Sequence, residues 1–254
     1  MNDFFGMSKT DDEGDWLSVS DLMAGLMVIF LFIAVVFIRP LQEQNNELEL
    51  QKEQLEEQKR QLEEQKQSIA QIALTWQDTE TKIFDKLVEE FKTDLPLWNA
   101  EIEKETLLIR FNAPEVLFSE GQSNIRAKFR EILSDFFPRY VEVLSEFRPA
   151  IEEIRIEGHT SSEWSSASPE QAYYNNMALS QARTREVLSF ALTLPDVAEE
   201  RDWLQSLLTA NGLSSSRLVL DEFGLEDPSL SRRVEFRVRT KARSEIVKIL
   251  EEVQ

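Results

Sequence analysis

The chain has 254 residues, of which 28 are Lys or Arg and 47 are Asp or Glu, a formal net charge of −19. That balance argues against nucleic acid as a direct partner, because displacing counterions from phosphates needs clustered cations, and an apolar fraction of 42% excludes a disordered acidic polymer over most of the length. Having no cysteine and one histidine removes disulfides, thiolate zinc sites, thiol nucleophiles and histidine metal clusters, and the seven glycines form no phosphate-cradling run.

Leu17 to Ile38, LSVSDLMAGLMVIFLFIAVVFI, is a single apolar run that as a helix rises about 33 Å at about 1.5 Å per residue, enough to cross a bilayer. Acidic residues before it (Asp11, Asp12, Glu13, Asp15), its length and the lack of an A-x-A-like site argue against a cleavable signal peptide. An uncleaved single-pass anchor is expected, with Trp16 marking one edge and Arg39-Pro40 the other. Lys9 on one side balances Arg39 and Lys52 on the other, so the positive-inside rule gives no orientation.

Asp21 is the ionisable residue inside this run. Helical spacing places Ser18, Asp21, Gly25 and Val28 on one stripe with Ala24 beside it, and small residues there allow a second helix close to the carboxylate. Two readings stand. An acid at membrane depth costs free energy unless it faces a bundle interior or a water path, which suits an ion carrier; alternatively Asp21 lies at the headgroup boundary as a helix N-cap, with Ser18 or Ser20 sharing the role.

From Leu41 to about Phe91 the chain reads as one long helix. Leu41, Leu48, Leu55, Leu62 and Ile69 recur every seven residues, with Gln44, Gln51, Gln58 and Gln65 three positions later. Such heptads favour a parallel dimeric coiled coil, against which stands a solvated single-helix spacer held by i,i+4 Glu/Lys pairs. Beyond Pro96 the pattern becomes mixed. Strands are expected at Thr106–Asn112, Ile151–Glu157, Arg217–Phe223 and Arg233–Thr240, and helices at Ile125–Phe147, about Pro169–Leu192 and Val197–Ala210. The order β-α-β-α-(α)-β-β makes an α+β domain with helices on one face of a small sheet.

Four residue groups carry a resemblance. IEGHTSS after a strand, NMALSQAR in the next helix, SRRVEFRV as the final strand and VLFSEGQSNIRAKFREIL from Val116 to Leu133 together resemble the OmpA-like peptidoglycan-binding domain. WLSVSDLMAGLMVIFLF resembles the membrane helix of the MotB family of flagellar stator B subunits. The short N-terminus and the SDLMAGLM wording are most similar to the MotB-like subunits of Zorya anti-phage defence, whose A-type partner (ZorA) is a MotA-like multi-span membrane protein.

The resemblance implies a division into a cytoplasmic segment (1–16), a transmembrane helix (17–38), a helical linker (39–92) and a periplasmic OmpA-like domain (93–254), anchored in the bacterial inner membrane. It further implies Asp21 as the ion-carrying group, a homodimer with a MotA-like partner, and a peptidoglycan site at Thr160, Ser161, Asn176, Leu179, Ser180 and Arg183. Within it, Arg183 can hold a peptide carboxylate by two parallel hydrogen bonds; a surface salt bridge to Glu186 or Glu170 is its bland alternative. Ser161 stands where many members have an Asp that engages the ammonium of diaminopimelate, and Glu163 could replace it only if the loop curls back. His159 is expected to fix the loop by hydrogen bonding, and Trp164 with Tyr173-Tyr174 to line the rim or cover the core. No nucleophile and base, paired carboxylates or metal cluster can be assembled, so a non-enzymatic protein without cofactor or metal is expected.

Overall fold

Few helix breakers interrupt the first third of the chain, and Asp12–Phe91 forms one helix, α1. The computed structural model describes residues 12–112, 114–242 and 244–245, with side chains from residue 20 onward except 114 and 115. Residues 1–11, including Lys9 and most of the segment expected in the cytoplasm, lie outside the described residues, as do the side chains of Trp16 and Ser18. Pro40 sits inside α1 without ending it, although it removes one backbone hydrogen bond. Because α1 begins at Asp12, Asp21 lies more than two turns inside a helix, so the N-cap reading fails: a cap residue stands outside the first turn with its side chain on free N–H groups.

Two compact units divide at Gln67/Ser68. The first contains the stretch of α1 that is long and apolar enough to cross a membrane. Its apolar side chains from Leu22 to Ile38 are exposed, and Leu41, Leu48, Leu55 and Leu62 are 52–59% exposed, so this chain alone does not cover the heptad seam.

The second unit begins within α1 itself, upstream of the expected boundary at 92/93. Ile83, Leu87 and Phe91 recur at i,i+4 and are fully buried, which makes the last turns of α1 part of the domain core. A short helix α2 (Leu95–Trp98) leads into β1 (Ala100–Glu103) and β2 (Leu108–Phe111). There follow a one-turn helix α3 (Pro114–Leu117), α4 (Ala127–Ser145), β3 (Ile151–Gly158) and α5 (Pro169–Thr193). The chain closes with α6 (Arg201–Leu207), β4 (Leu208–Gly212), a one-turn helix α7 (Pro228–Ser231) and β5 (Val234–Thr240). The sheet order is β1-β2-β5-β3-β4, antiparallel except for β3 and β4.

Alternation along β3 and β5 separates two faces. Ile154, Ile156, Phe236 and Val238 point into the core, where Phe236 meets Phe136 at 5.1 Å and Tyr140 at 6.0 Å between ring centroids. The other set, Glu153, Arg155 and Glu157 on β3 with Glu235, Arg237 and Arg239 on β5 and Arg110 on β2, is joined by ion pairs.

Three stretches differ from expectation, the first being β1, for which no element is expected. β1, AEIE, is a short half-exposed edge strand with too few residues to show a period. Leu208–Gly212 was expected at a helix end but is β4, whose Gly158↔Gly212 register ends the parallel pairing. Gly212 lies so near α5 that a Cβ would fall 2.2 Å from the Gln181 nitrogen, which explains a glycine there. Arg217–Phe223, expected as a strand, is a loop turned by Asp221, whose Oδ1 accepts from the Phe223 and Leu225 amides at 2.9 and 3.0 Å.

Candidate functional site

The carboxyl end of β3, the turn after it and α5 enclose a cleft of about 800 Å³. The turn is held from its backbone: the His159 amide donates to Arg233 O and the Thr160 amide to Ser214 O, both at 3.0 Å. Ser168 caps α5, its hydroxyl accepting from the Gln171 amide at 3.3 Å, with Pro169 in the first turn. That start sets Asn176, Leu179 and Arg183 on one helical stripe, and all three line the cleft with Thr160 and Ser161.

Arg183 donates from Nε to Gln122 O at 2.9 Å and from Nη2 to Ser119 O at 3.2 Å, and its guanidinium lies 4.8 Å from the Phe118 ring centroid. Burial, aided by the nearby Arg232 charge, pulls its pKa down to about 10. Among the described residues Arg183 has no carboxylate at salt-bridge distance; the expected alternative pairing with Glu186 or Glu170 is not made, and Glu186 instead meets Arg185 at 3.9 Å. Asn176 Nδ2 donates to Glu163 O at 3.1 Å, so its amide braces the loop, while Glu163 lines the cleft with its carboxylate 3.8 Å from Arg232. Thr160 Oγ1 is buried without a hydrogen-bond partner, and Ser161 Oγ accepts from Arg232 at 3.4 Å.

Ser180 is the expected site residue that the structure keeps out of the cleft. Fully buried, its hydroxyl donates to Met177 O and accepts from the Ser214 amide, both at 3.0 Å. Trp164 is on the cleft wall; Tyr173 and Tyr174 pack on each other instead. Arg126, Phe118 and Arg232 also line the cleft. Arg232 had a sequence signal, as the first of two arginines opening the last strand.

His159 is buried, with Nε2 3.4 Å from Glu235 Oε2; burial lowers its pKa, although Glu235 opposes this. Glu157, His159 and Glu235 bring three potential metal-ligand atoms within 4.8 Å of one another. Arginines already occupy both carboxylates: Arg110 and Arg233 on Glu235 at 2.9 and 2.7 Å, Arg217 and Arg237 on Glu157 at 3.3 and 3.4 Å. A further cation would meet a net positive shell. In the first unit Asp21 is exposed, and a Cβ built on Gly25, one turn on, meets nothing within 4 Å.

The chain thus joins a membrane-length helix to an α+β domain whose cleft is lined by Arg126, Arg183, Arg232 and Arg233. No protein-family model matches it. It belongs to the ZorB family: it is 41% identical to the Zorya protein ZorB of Escherichia coli over 245 residues, 96% of this chain and 95% of that one. Solved structures similar to it include a putative MotB-like protein from Desulfovibrio vulgaris (18% identity, TM-score 0.48, covering 65% of this chain and 93% of that one). The cell wall anchor of the T6SS from Pseudomonas aeruginosa (22% identity, TM-score 0.42) covers 61% and 96% respectively. For the periplasmic domain of Helicobacter pylori MotB (14% identity, TM-score 0.42) the shares are 60% and 89%.

Proposed function

We infer that the chain is the B subunit of a proton-driven inner-membrane motor acting in anti-phage defence. In this reading α1 crosses the membrane once with the N-terminus in the cytoplasm, and two copies pair along the leucine seam. Asp21 binds and releases a proton against a multi-span partner of the MotA or ZorA type. The α+β domain holds peptidoglycan in the periplasm, and the protein binds and carries rather than catalyses. Arg183 is the observation that carries the reading: a largely desolvated guanidinium facing a cleft without an acidic partner is matched by a peptide carboxylate. Family membership supports the defence setting.

The test is sedimentation of the full-length protein, in detergent micelles, with purified sacculi. Pelleting that soluble muropeptides compete away supports the anchoring half, and a protein left in the supernatant at all concentrations rejects it.

A further inference from the structure

We propose that Arg232 and Arg183 form a two-guanidinium clamp, so that the cleft selects a segment of wall peptide bearing two carboxylates and does not read its ammonium group. The proposal rests on the anchoring reading above and names the ligand chemistry of that same cleft.

The argument begins with position 161. A hydroxyl there accepts from Arg232 Nη1 at 3.4 Å but cannot neutralise it. Among the described residues the carboxylate nearest Arg232 is Glu163, at 3.8 Å and 69% exposed, and a pair so open to water is weak. Arg233, the neighbour in sequence, differs: Glu235 takes its Nε at 2.7 Å and the Arg217 and Ser231 carbonyls take its Nη1 at 3.1 Å. Arg232 is therefore the member of the pair with its charge free for a ligand.

Arg183 faces the same cleft with only carbonyl and ring partners. The two cations repel each other, and the Arg232 charge adds to burial, the larger cause, in lowering the pKa of Arg183. An anion between them relieves that repulsion and gains charge-assisted hydrogen bonds from both. Thr160 adds a buried hydroxyl without a partner on the same wall, a donor that a carboxylate oxygen can accept from. An entering ammonium would meet Glu163 and Glu120 on the cleft wall, Glu163 already shared with Arg232, and would be repelled by both guanidiniums.

The experiment titrates full-length protein in micelles with three probes: the tripeptide L-Ala-γ-D-Glu-meso-diaminopimelate, the same peptide amidated on its diaminopimelate carboxylates, and the same peptide acetylated on its side-chain amine. Amidation is expected to weaken binding about tenfold or more, the loss of charge-assisted hydrogen bonds, and acetylation to change it by less than about threefold. Arg232→Gln should reduce the discrimination against the amide to the share that Arg183 alone supplies, while leaving the thermal melt in place. Ser161→Asp, which supplies Arg232 with an internal anion, should weaken the parent peptide and make binding sensitive to acetylation. If the amidated probe binds as well as the parent, or acetylation abolishes binding, the clamp is wrong while sacculus binding can still hold. If the protein binds neither sacculi nor any probe, clamp and anchoring reading fall together.

Discussion

The Ser180 hydroxyl accepts a hydrogen bond from the Ser214 amide at 3.0 Å, tying α5 to the turn after β4. Ser214 has φ of 52°, donates from its own hydroxyl to Tyr173 O at 2.8 Å, and offers its carbonyl to the Thr160 amide. One residue thus couples the helix to the floor of the cleft. Ser180→Ala leaves a buried N–H without an acceptor, at a cost of about 1–3 kcal/mol. A thermal melt should show that loss, while sacculus binding at temperatures well below the transition persists. Loss of binding in a fully folded variant would return Ser180 to the ligand site.

Arg183→Ala should remove sedimentation with sacculi. Since the side chain also spans the Ser119 and Gln122 carbonyls and covers Phe118, the variant should lose about 1–3 kcal/mol of stability, more than an exposed salt bridge would explain. Arg183→Lys keeps the charge but replaces a planar fork by a point donor, so binding should fall between wild type and the alanine variant. Wild-type pelleting of folded Arg183→Ala would remove this residue from the site.

Acid should destabilise the domain in two stages. Burial holds His159 below its ordinary value of 6.5, so as pH falls through 6.5 the unfolded chain takes up a proton that the folded one refuses. Burial alone would raise Glu235 and Glu153, but His159 and Arg233 beside the first, and Arg155, Thr209 and Arg239 beside the second, hold both below the ordinary 4.5. Their contributions are present above 4.5 and are lost as pH falls further. In both stages the unfolded state binds more protons, so stability rises with pH. Melting temperature should drop from pH 7 to 5 and again towards pH 3. Glu235→Gln, which removes the carboxylate partner of Arg233 and leaves Arg110 with Glu101 alone, should cost about 3–5 kcal/mol at pH 7 and flatten the lower stage; an unchanged acid profile would contradict this assignment.

Asp21 sits inside α1 beside an open Gly25. Asp21→Asn preserves shape but cannot cycle charge. The variant should reach normal membrane levels, co-purify with the partner and give no phage protection, while Asp21→Glu keeps a fraction. Full protection by Asp21→Asn would reduce the chain to a passive tether between membrane and wall.

The seam is tested by single cysteines at Leu48 and Leu55, whose side chains are exposed on one copy. Oxidation in membranes should give covalent dimers at both positions, with less from a cysteine at Glu53, off the Leu repeat. Absence of dimer at both seam positions would reject paired helices.

Elements with a sustained period were legible before the structure. α4 and α5 start and stop within two residues of expectation, and β3 and β5 show their alternation over seven or more residues. β1 and β4 were not, because AEIE and LTANG are too short to display a period, and what makes LTANG a strand is its parallel partner β3 together with the contact of Gly212 on α5. In the cleft, Thr160, Ser161, Asn176, Leu179 and Arg183 were implied by the resemblance to the OmpA-like domain, and the structure brings them to one cleft. That Asn176 braces a loop, that Ser180 holds Ser214 and that Arg183 lies on Phe118 depend on partners 13, 34 and 65 residues away, which no local pattern encodes.

Ile83, Leu87 and Phe91 root the end of α1 among the rings of Phe136, Trp98 and their neighbours. A pull along this part of the helix therefore bears on interlocked side chains in shear, three turns at once, instead of peeling open a loop one contact at a time. Withdrawing it would vacate the space of three large side chains in a close-packed interior. The α+β domain should accordingly yield to axial force at the load that ruptures its own core, and a fragment begun at residue 93 would lack the peg that closes that core.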